Sequence, residues 1–238
     1  MPIGKFGPRA RRTTRARPRR RRPGLGRSTH ARPPGSSPWG SLPASKSDNY
    51  LAQRVTWAYG RQRIIDRVAL LYTIGHSTHT LEEFLALLRQ HAIKVLVDVR
   101  RFPTSRRHPH FVREALAEAL RGAGVEYVHE PQLGGWRSAR PDSPNTAWRT
   151  KGFQGYADHM GTPEFGTALA RIVALGSERA TAVMCAEITP WRCHRQLIAD
   201  SLVAGGHRVL HIVTADRIEE HTLNPKARVL ADGRLIYP

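Results

Sequence analysis

The sequence predicts an α/β fold: a three-layer, mostly parallel sheet of about five strands with helices on both faces. Short apolar runs alternate with amphipathic segments from Val68 onward. The runs are β-branched or continuously apolar, which is typical of strands buried on both faces. A change of composition near residue 68 separates this domain, residues 68–238, from a strongly basic N-terminal segment.

Five apolar runs are the predicted strands, and helical patterns lie between most of them. The strands are predicted at 69–75, 94–100, 125–130, 179–187 and 207–213. Thr80 and Glu83 have the spacing of a capping box at the start of the first helix. Three further helices are predicted at 110–124, from the pair Thr162-Pro163 to Gly176, and at 193–206. Near the end of the chain, Asp232-Gly233 predicts a hairpin.

Residues 131–161 interrupt this alternation of strands and helices. The stretch is long, rich in Gly, Pro and Trp, and poorly periodic. Loops of this length within a compact domain are often active-site flaps. Its aromatic and basic residues either contact a nucleic acid or pack on the sheet.

The N-terminal segment carries most of the net charge of the chain. Residues 1–67 hold 17 Lys and Arg against only Asp48 and Asp66, a net +15, whereas residues 68–238 have a net +4. Residues 1–60 lack apolar periodicity, so we expect a disordered tail. It is either an extension without a role or an arm that binds nucleic acid through counterion release.

Composition excludes several classes of protein. The chain has no run of 18 apolar residues, so we expect no membrane-spanning helix, and no apolar stretch follows the N-terminal charges as in a secretory signal. Two cysteines cannot build a disulfide scaffold or a four-cysteine zinc site, and we expect no metal site. Nucleotide-binding glycine motifs are missing, and no cofactor is indicated. Two reduced cysteines favour a cytoplasmic protein.

Polar and ionisable residues accumulate directly after the first four predicted strands. In parallel sheets, ligands bind beyond the carboxyl ends of the strands. We therefore expect one shared site with two groups of side chains. The catalytic candidates are Asp98, Glu187, His76, Cys185 and His194. The anion-binding candidates are Arg100, Arg106, Arg195, Ser77, Ser105 and Cys193.

Each of these residues also has a structural interpretation. In the catalytic interpretation, Asp98 or Glu187 acts as general base or acid, and His76 or His194 is its proton partner. In the structural interpretation, Asp98 only pairs with an arginine. Cys185 is a nucleophile or packs in the core. The guanidinium groups between the second strand and its helix pair with a phosphate, or face solvent.

Five blocks of sequence resemble the prokaryotic family called domain of unknown function 488. The blocks are YTIGHSTHTLEEF, LVDVRRFPTSRR, LGGWR, GFQGYADHM and AVMCAEITPWRCHRQLIA, in the order of the family over about residues 70–215. The resemblance implies a compact α/β domain and a loose connection with DNA repair, and it implies no particular reaction. Its signature residues map onto Gly75, His76, Ser77, Asp98, Arg100, Pro103, Ser105, Cys185, Glu187, Cys193, His194 and Arg195.

Three functional hypotheses follow from the sequence. The first is an enzyme-like cleft that binds a phosphate-bearing ligand, a nucleotide or nucleic acid. The second is a non-catalytic protein that binds nucleic acid through its basic tail. The third is a thiol-dependent redox or sulfur-transfer protein that uses Cys185 or Cys193.

Overall fold

A six-stranded sheet is the centre of the fold. The computed structural model describes residues 68–238, and the tail expected at residues 1–60 lies outside the described part of the chain. The strands lie side by side in the order β3-β2-β4-β1-β5-β6, the first five parallel and β6 antiparallel to β5. They are β1 (Leu70–Gly75), β2 (Val95–Asp98), β3 (Glu126–His129), β4 (Thr181–Cys185), β5 (Arg208–Thr214) and β6 (Arg217–Glu220).

Five α-helices and a small hairpin complete the domain. The helices are α1 (Leu81–Gln90), α2 (Arg113–Gly122), α3 (Lys151–Met160), α4 (Pro163–Glu178) and α5 (Arg195–Ala204). Single 3₁₀ turns occur at Pro109–Phe111, Pro131–Leu133 and Pro190–Arg192. The predicted hairpin is formed by β7 (Arg228–Val229) and β8 (Leu235–Ile236), and Gly233 has a φ of 81° in its turn. No helix within residues 68–238 has both the length and the apolar character needed to cross a bilayer.

The helices cover both faces of the sheet, as the alternating pattern predicts. Helices α1 and α2 pack on one face around Leu96 and Met184. Helices α3, α4 and α5 pack on the other face around Val97 and Val183. Neighbouring residues of β2 and β4 thus point to opposite faces and are buried on both, which confirms the three-layer α/β fold.

Two predicted helix starts are present with their capping bonds. The backbone N–H of Glu83 donates to Thr80 Oγ1 (3.2 Å), and the backbone N–H of Thr80 donates to the Glu83 carboxylate (2.8 Å). At α4, the backbone N–H of Phe165 donates to Thr162 Oγ1 (3.3 Å). Both hydroxyls satisfy amide groups that have no partner inside their own helix.

Three details differ from the sequence prediction. Part of the predicted flap, residues 131–161, is helix α3, which lies against the preceding backbone because Gly155 has no Cβ. Helix α4 continues past Gly176 to Glu178; a Cβ at Gly176 would lie 2.8 Å from Leu71 Cγ, so this glycine allows close packing rather than ending the helix. Strand β6 is an antiparallel edge strand that follows β5 through a tight turn.

Backbone hydrogen bonds hold the carboxyl ends of the central strands together. The N–H of His76 donates to the Cys185 carbonyl (3.0 Å), and the N–H of Glu130 donates to the Asp98 carbonyl (2.9 Å). A Cβ at Gly75 would lie 1.8 Å from the Glu187 carbonyl oxygen, so only glycine permits the loop after β4 to approach β1 this closely. The four loops that follow β1–β4 therefore begin at one edge of the sheet.

Candidate active site

A cavity of about 900 Å³ opens at this edge of the sheet. Its walls come from the loops after β1, β2 and β4, from the segment 135–138, and from the first part of α3. This is where a parallel sheet offers a ligand site, because strand ends and helix starts converge there. The volume is within the range of small-molecule sites, roughly 300–1,000 Å³.

The lining of the cavity is strongly cationic. Glu187 is the one carboxylate among the described residues that line it. The lining also contains five arginines and three histidines, which are Arg100, Arg101, Arg107, Arg137, Arg192, His76, His108 and His194. A concave surface of one sign concentrates ligands of the opposite charge, so the cleft favours anions.

Eight of the eleven site residues expected from the sequence line this cavity. They are His76, Ser77, Arg100, Ser105, Cys185, Glu187, Cys193 and His194. The other three lie elsewhere. Asp98 and Arg195 are fully buried beneath the lining, and Arg106 is an exposed residue of the loop after β2 whose neighbour Arg107 faces the cavity instead.

Asp98 holds Arg100 in place. The Nε of Arg100 donates to Asp98 Oδ1 (2.9 Å), and Tyr127 Oη donates to Asp98 Oδ2 (2.8 Å). The carboxylate is therefore occupied by donors, and its burial raises the cost of leaving the Arg100 charge unpaired. Desolvation, followed by the negative charge of Asp98, raises the pKa of Tyr127, so the phenol stays protonated and keeps donating.

His76 is a neutral hydrogen-bond partner of the same arginine. Its Nδ1 donates to the Ser77 carbonyl (3.1 Å), which leaves Nε2 as the acceptor for Arg100 Nη1 (3.2 Å). Burial, with the positive charge of Arg100, lowers the pKa of His76 to about 4. Two of the five Arg100 N–H groups then have no partner among residues 68–238 and are available to an anion in the cavity.

Two thiols meet at the floor of the cavity. Cys185 ends β4 and Cys193 precedes α5, and their Sγ atoms are 2.7 Å apart. Both are free cysteines, and Cys193 is only 3 % exposed. One thiol therefore donates its proton to the sulfur of the other.

Arg195 indicates that this thiol pair carries a negative charge. The guanidinium group is fully buried, and within residues 68–238 it forms no salt bridge with a carboxylate. Its Nε donates to Cys185 Sγ (3.0 Å), and its Nη2 donates to the carbonyls of Glu187 and Ile188. A buried cation requires a nearby anion, and a shared thiolate supplies one.

Cys193 is the thiolate of the pair. Burial opposes its ionisation, but hydrogen bonds from Cys185 and His194 and the charges of His194 and Arg195 together lower its pKa well below the ordinary value. Burial and the bond to Cys193 raise the pKa of Cys185, which keeps its proton. The start of α5 adds a favourable field for the anion.

His194 contacts the thiolate through one ring nitrogen. Its Nδ1 lies 3.5 Å from Cys193 Sγ, whereas its Nε2 is buried without a hydrogen-bond partner in the described part of the chain. A buried nitrogen without a partner costs free energy unless a ligand or water satisfies it. His194 lines the cavity with other atoms of its side chain or backbone, whereas this nitrogen is itself buried.

A second hydrogen-bonded chain supports Arg195 from the opposite side. Arg195 Nη1 donates to Thr73 Oγ1 (3.3 Å), and Thr73 Oγ1 is 2.7 Å from His211 Nδ1. The chain continues through His211 Nε2 to His221 Nδ1 (2.9 Å) and from His221 Nε2 to Asp200 (2.9 Å). Each link of this chain joins one donor to one acceptor, so the chain fixes the orientation of Arg195.

Sequence reasoning missed this second chain and Tyr127. Thr73 and His211 lie inside predicted apolar strands, and a polar residue at such a position is a usable signal of a buried hydrogen-bonded group. His221 and Asp200 gave no such signal, because their partners are distant in sequence.

Comparison with known protein families assigns the central part of the chain to a family. Residues 80–202, slightly more than half of the chain, match the family described as "Domain of unknown function DUF488". The chain belongs to this family. The matched range of the DUF488 domain contains Asp98, Arg100, Cys185, Cys193 and Arg195, and thus the thiol pair, the arginine that contacts it and the arginine that Asp98 holds in the cavity lining. Among curated proteins and solved structures, no match was found.

Proposed function

We propose that this DUF488 protein is an enzyme whose cationic cleft binds a phosphate-bearing substrate, with Cys193 as the nucleophile. The excess of arginines over carboxylates in the cavity lining carries the proposal. Guanidinium groups pair with phosphate oxygens in a bidentate way. Several of them in one cleft match a phosphate dianion better than a ligand that carries one carboxylate.

The roles of the side chains follow from their contacts. Arg100, oriented by Asp98, and the exposed Arg107 bind the phosphate group. The Cys193 thiolate attacks the electrophilic atom of the substrate, a bond from sulfur to that atom forms, and the bond to the leaving group breaks. His194 is the candidate general acid that protonates the leaving group, and Glu187 is the candidate general base.

A matched pair of arginine variants tests the phosphate site. Arg107 lines the cavity and Arg106, its exposed neighbour, does not. Arg107→Ala should weaken binding of ribose 5-phosphate about tenfold, the effect of one charge-assisted contact. Arg106→Ala should leave affinity within twofold of the wild type, measured by calorimetry at fixed ionic strength. Equal losses in both variants, or no binding by the wild type, would overturn the proposal.

The thiol pair favours a second candidate function, a thiol-dependent redox or sulfur-transfer protein. Its specific observation is the 2.7 Å separation of the two sulfur atoms. A disulfide such as oxidised glutathione would accept the two electrons, leaving a Cys185–Cys193 disulfide and two molecules of reduced glutathione. Counting free thiols after this treatment, with Cys185→Ser as control, tests it; two persisting thiols in the wild type would exclude it.

A further inference from the structure

Two large aromatic side chains stand exposed in the lining of the cationic cleft. Trp136 is 90 % exposed and Phe102 is 69 % exposed, and both line the cavity. Most large aromatic side chains are buried to a great extent, because removing them from water is favourable. Two exposed rings in one cavity lining therefore suggest a surface kept open for a ligand.

The backbone of Trp136 strengthens this interpretation. Its φ of 63° lies in the left-handed region, where a bulky residue is strained. The ring gains little burial in return for this strain. Strained residues of this kind concentrate at ligand sites, where the conformation places a side chain for binding.

Arg101 connects the two rings. Its Nη1 donates to the Trp136 carbonyl (3.0 Å), and its guanidinium carbon lies 5.5 Å from the centre of the Phe102 ring. The same arginine lines the cleft. Aromatic planes next to guanidinium groups are the arrangement by which proteins hold a base and its phosphate together.

We propose that Phe102 and Trp136 form a stacking subsite for a nucleobase, so that the ligand of the cleft is a nucleoside phosphate. The base belongs either to a free nucleotide or to a single-stranded nucleic acid. The inference rests on the phosphate-binding cleft proposed above. The cavity volume of about 900 Å³ supports it, because a phosphate group alone would leave most of that space empty.

Comparing AMP with ribose 5-phosphate isolates the contribution of the base. In the full chain at fixed ionic strength, calorimetry should show that AMP binds about tenfold more tightly than ribose 5-phosphate. Trp136→Gly, which removes the ring and suits the left-handed backbone, should erase this preference and leave ribose 5-phosphate affinity unchanged. Trp191→Ala is the control, because Trp191 is half exposed and does not line the cleft.

The outcomes separate the two proposals. If ribose 5-phosphate binds and AMP binds no better, the base subsite is wrong and the phosphate site stands. If neither binds, the proposed function fails and the subsite with it. An AMP preference that persists in Trp136→Gly also overturns the subsite.

A competition experiment identifies the source of the base. A single-stranded thymidine pentanucleotide that displaces AMP, and loses affinity in Trp136→Gly, supports a nucleic acid ligand. A pentanucleotide that leaves AMP bound supports a free nucleotide. The comparison with Trp136→Gly isolates the cleft, because the basic residues 1–67 are the same in both proteins.

Discussion

Cys193 and Cys185 divide one proton between them unequally, and this division determines the chemistry of the cleft. The Arg195 guanidinium, buried without a carboxylate partner in the described residues, favours a negative charge on the pair. The contacts of His194 and of the Arg195 backbone N–H with Cys193 Sγ, together with the start of α5, favour Cys193 as its site. Cys185 keeps its proton and donates it as a hydrogen bond. The sequence alone left Cys185 with a packing role or a reactive role, and it placed Cys193 among the anion-binding candidates.

The donor role of Cys185 can be measured through the titration of Cys193. Cys185→Ala removes the S–H donor and should raise the apparent pKa of Cys193 by about one to two pH units, since a hydrogen bond to a charged group is worth roughly 1.5–3 kcal/mol. Cys185→Ser keeps a hydroxyl donor and should raise it less. Rates of alkylation by iodoacetamide against pH give these values. A profile of Cys193 that is the same in Cys185→Ala as in the wild type would contradict the shared proton.

Particular residues show what sequence could predict about the site. Polar or ionisable residues occur at the ends of the apolar strands, such as His76 after β1 and Cys185 at the end of β4. The location of the cleft was therefore predictable. The roles within it were not. Arg195 was predicted to bind an anion, and Asp98 either to act in catalysis or to pair with an arginine. Only the three-dimensional contacts show that Asp98 binds Arg100 and that Arg195 binds Cys185.

Helix α3 shows how a single element shapes the cleft. Its first residues, Gly152 and Phe153, line the cavity, and Gly155 faces the segment 137–139. A Cβ at Gly155 would lie 2.3 Å from the Arg137 carbonyl oxygen, whereas a Cβ at Gly152 would meet nothing within 4 Å. Close packing therefore requires a glycine at position 155, whereas no neighbouring atom requires one at position 152.

Alanine substitutions in α3 test this difference between Gly155 and Gly152. Gly155→Ala should destabilise the protein by about 2 kcal/mol or more, because backbone atoms must move to admit the methyl group. Gly152→Ala should stabilise it by about 0.5–1 kcal/mol through helix propensity. Urea unfolding of both variants provides the free energies. If Gly155→Ala were as stable as Gly152→Ala, the close packing of α3 on residues 137–139 would be wrong.

Helix α3 also shows why the helices and strands could be predicted only in part. Capping residues made α1 and α4 predictable, because Thr80 and Thr162 are strong local signals. Helix α3 has two glycines and no side-chain cap, so its formation depends on packing that local patterns do not contain. Strand β6 is mostly exposed and charged, and pairing with β5 forms it.

At the scale of the whole molecule, the buried histidines make stability depend on pH. Burial and the charge of Arg100 lower the pKa of His76 to about 4, and burial with the charges of His221 and Arg195 lowers that of His211 to about 3. The unfolded chain binds protons at both histidines near pH 6.5, whereas the folded chain does not. The two neutral histidines thus stabilise the folded protein above about pH 6.5, and this stabilisation is lost as the pH falls toward 4.

Unfolding measurements at two pH values test this effect. The free energy of unfolding should fall by roughly 3–4 kcal/mol between pH 7 and pH 5 from these two histidines. His76→Gln removes one of them and should reduce the fall by about half, in urea unfolding followed by circular dichroism. An unchanged pH dependence in His76→Gln would mean that His76 takes up its proton in the folded protein.

The overall architecture was the most predictable level. Alternating strands and helices, continuous apolar runs and the five family blocks indicated the α/β fold and the DUF488 family, and both are confirmed. The order of the strands was not predictable, because it depends on contacts between segments far apart in sequence. In that order β4 lies between β1 and β2, which places the thiol pair in the middle of the sheet edge where the cationic cleft opens.

The most direct test of the central claim is protection of Cys193 from alkylation by a phosphate ligand. Iodoacetamide should modify Cys193 at pH 7, and ribose 5-phosphate should slow this reaction in a saturable way, with mass spectrometry identifying the residue. Sodium chloride at the same ionic strength should not slow it, and Arg107→Ala should require about tenfold more ligand. Alkylation of Cys193 that proceeds equally fast with saturating ribose 5-phosphate would contradict a thiolate lying in a phosphate-binding cleft.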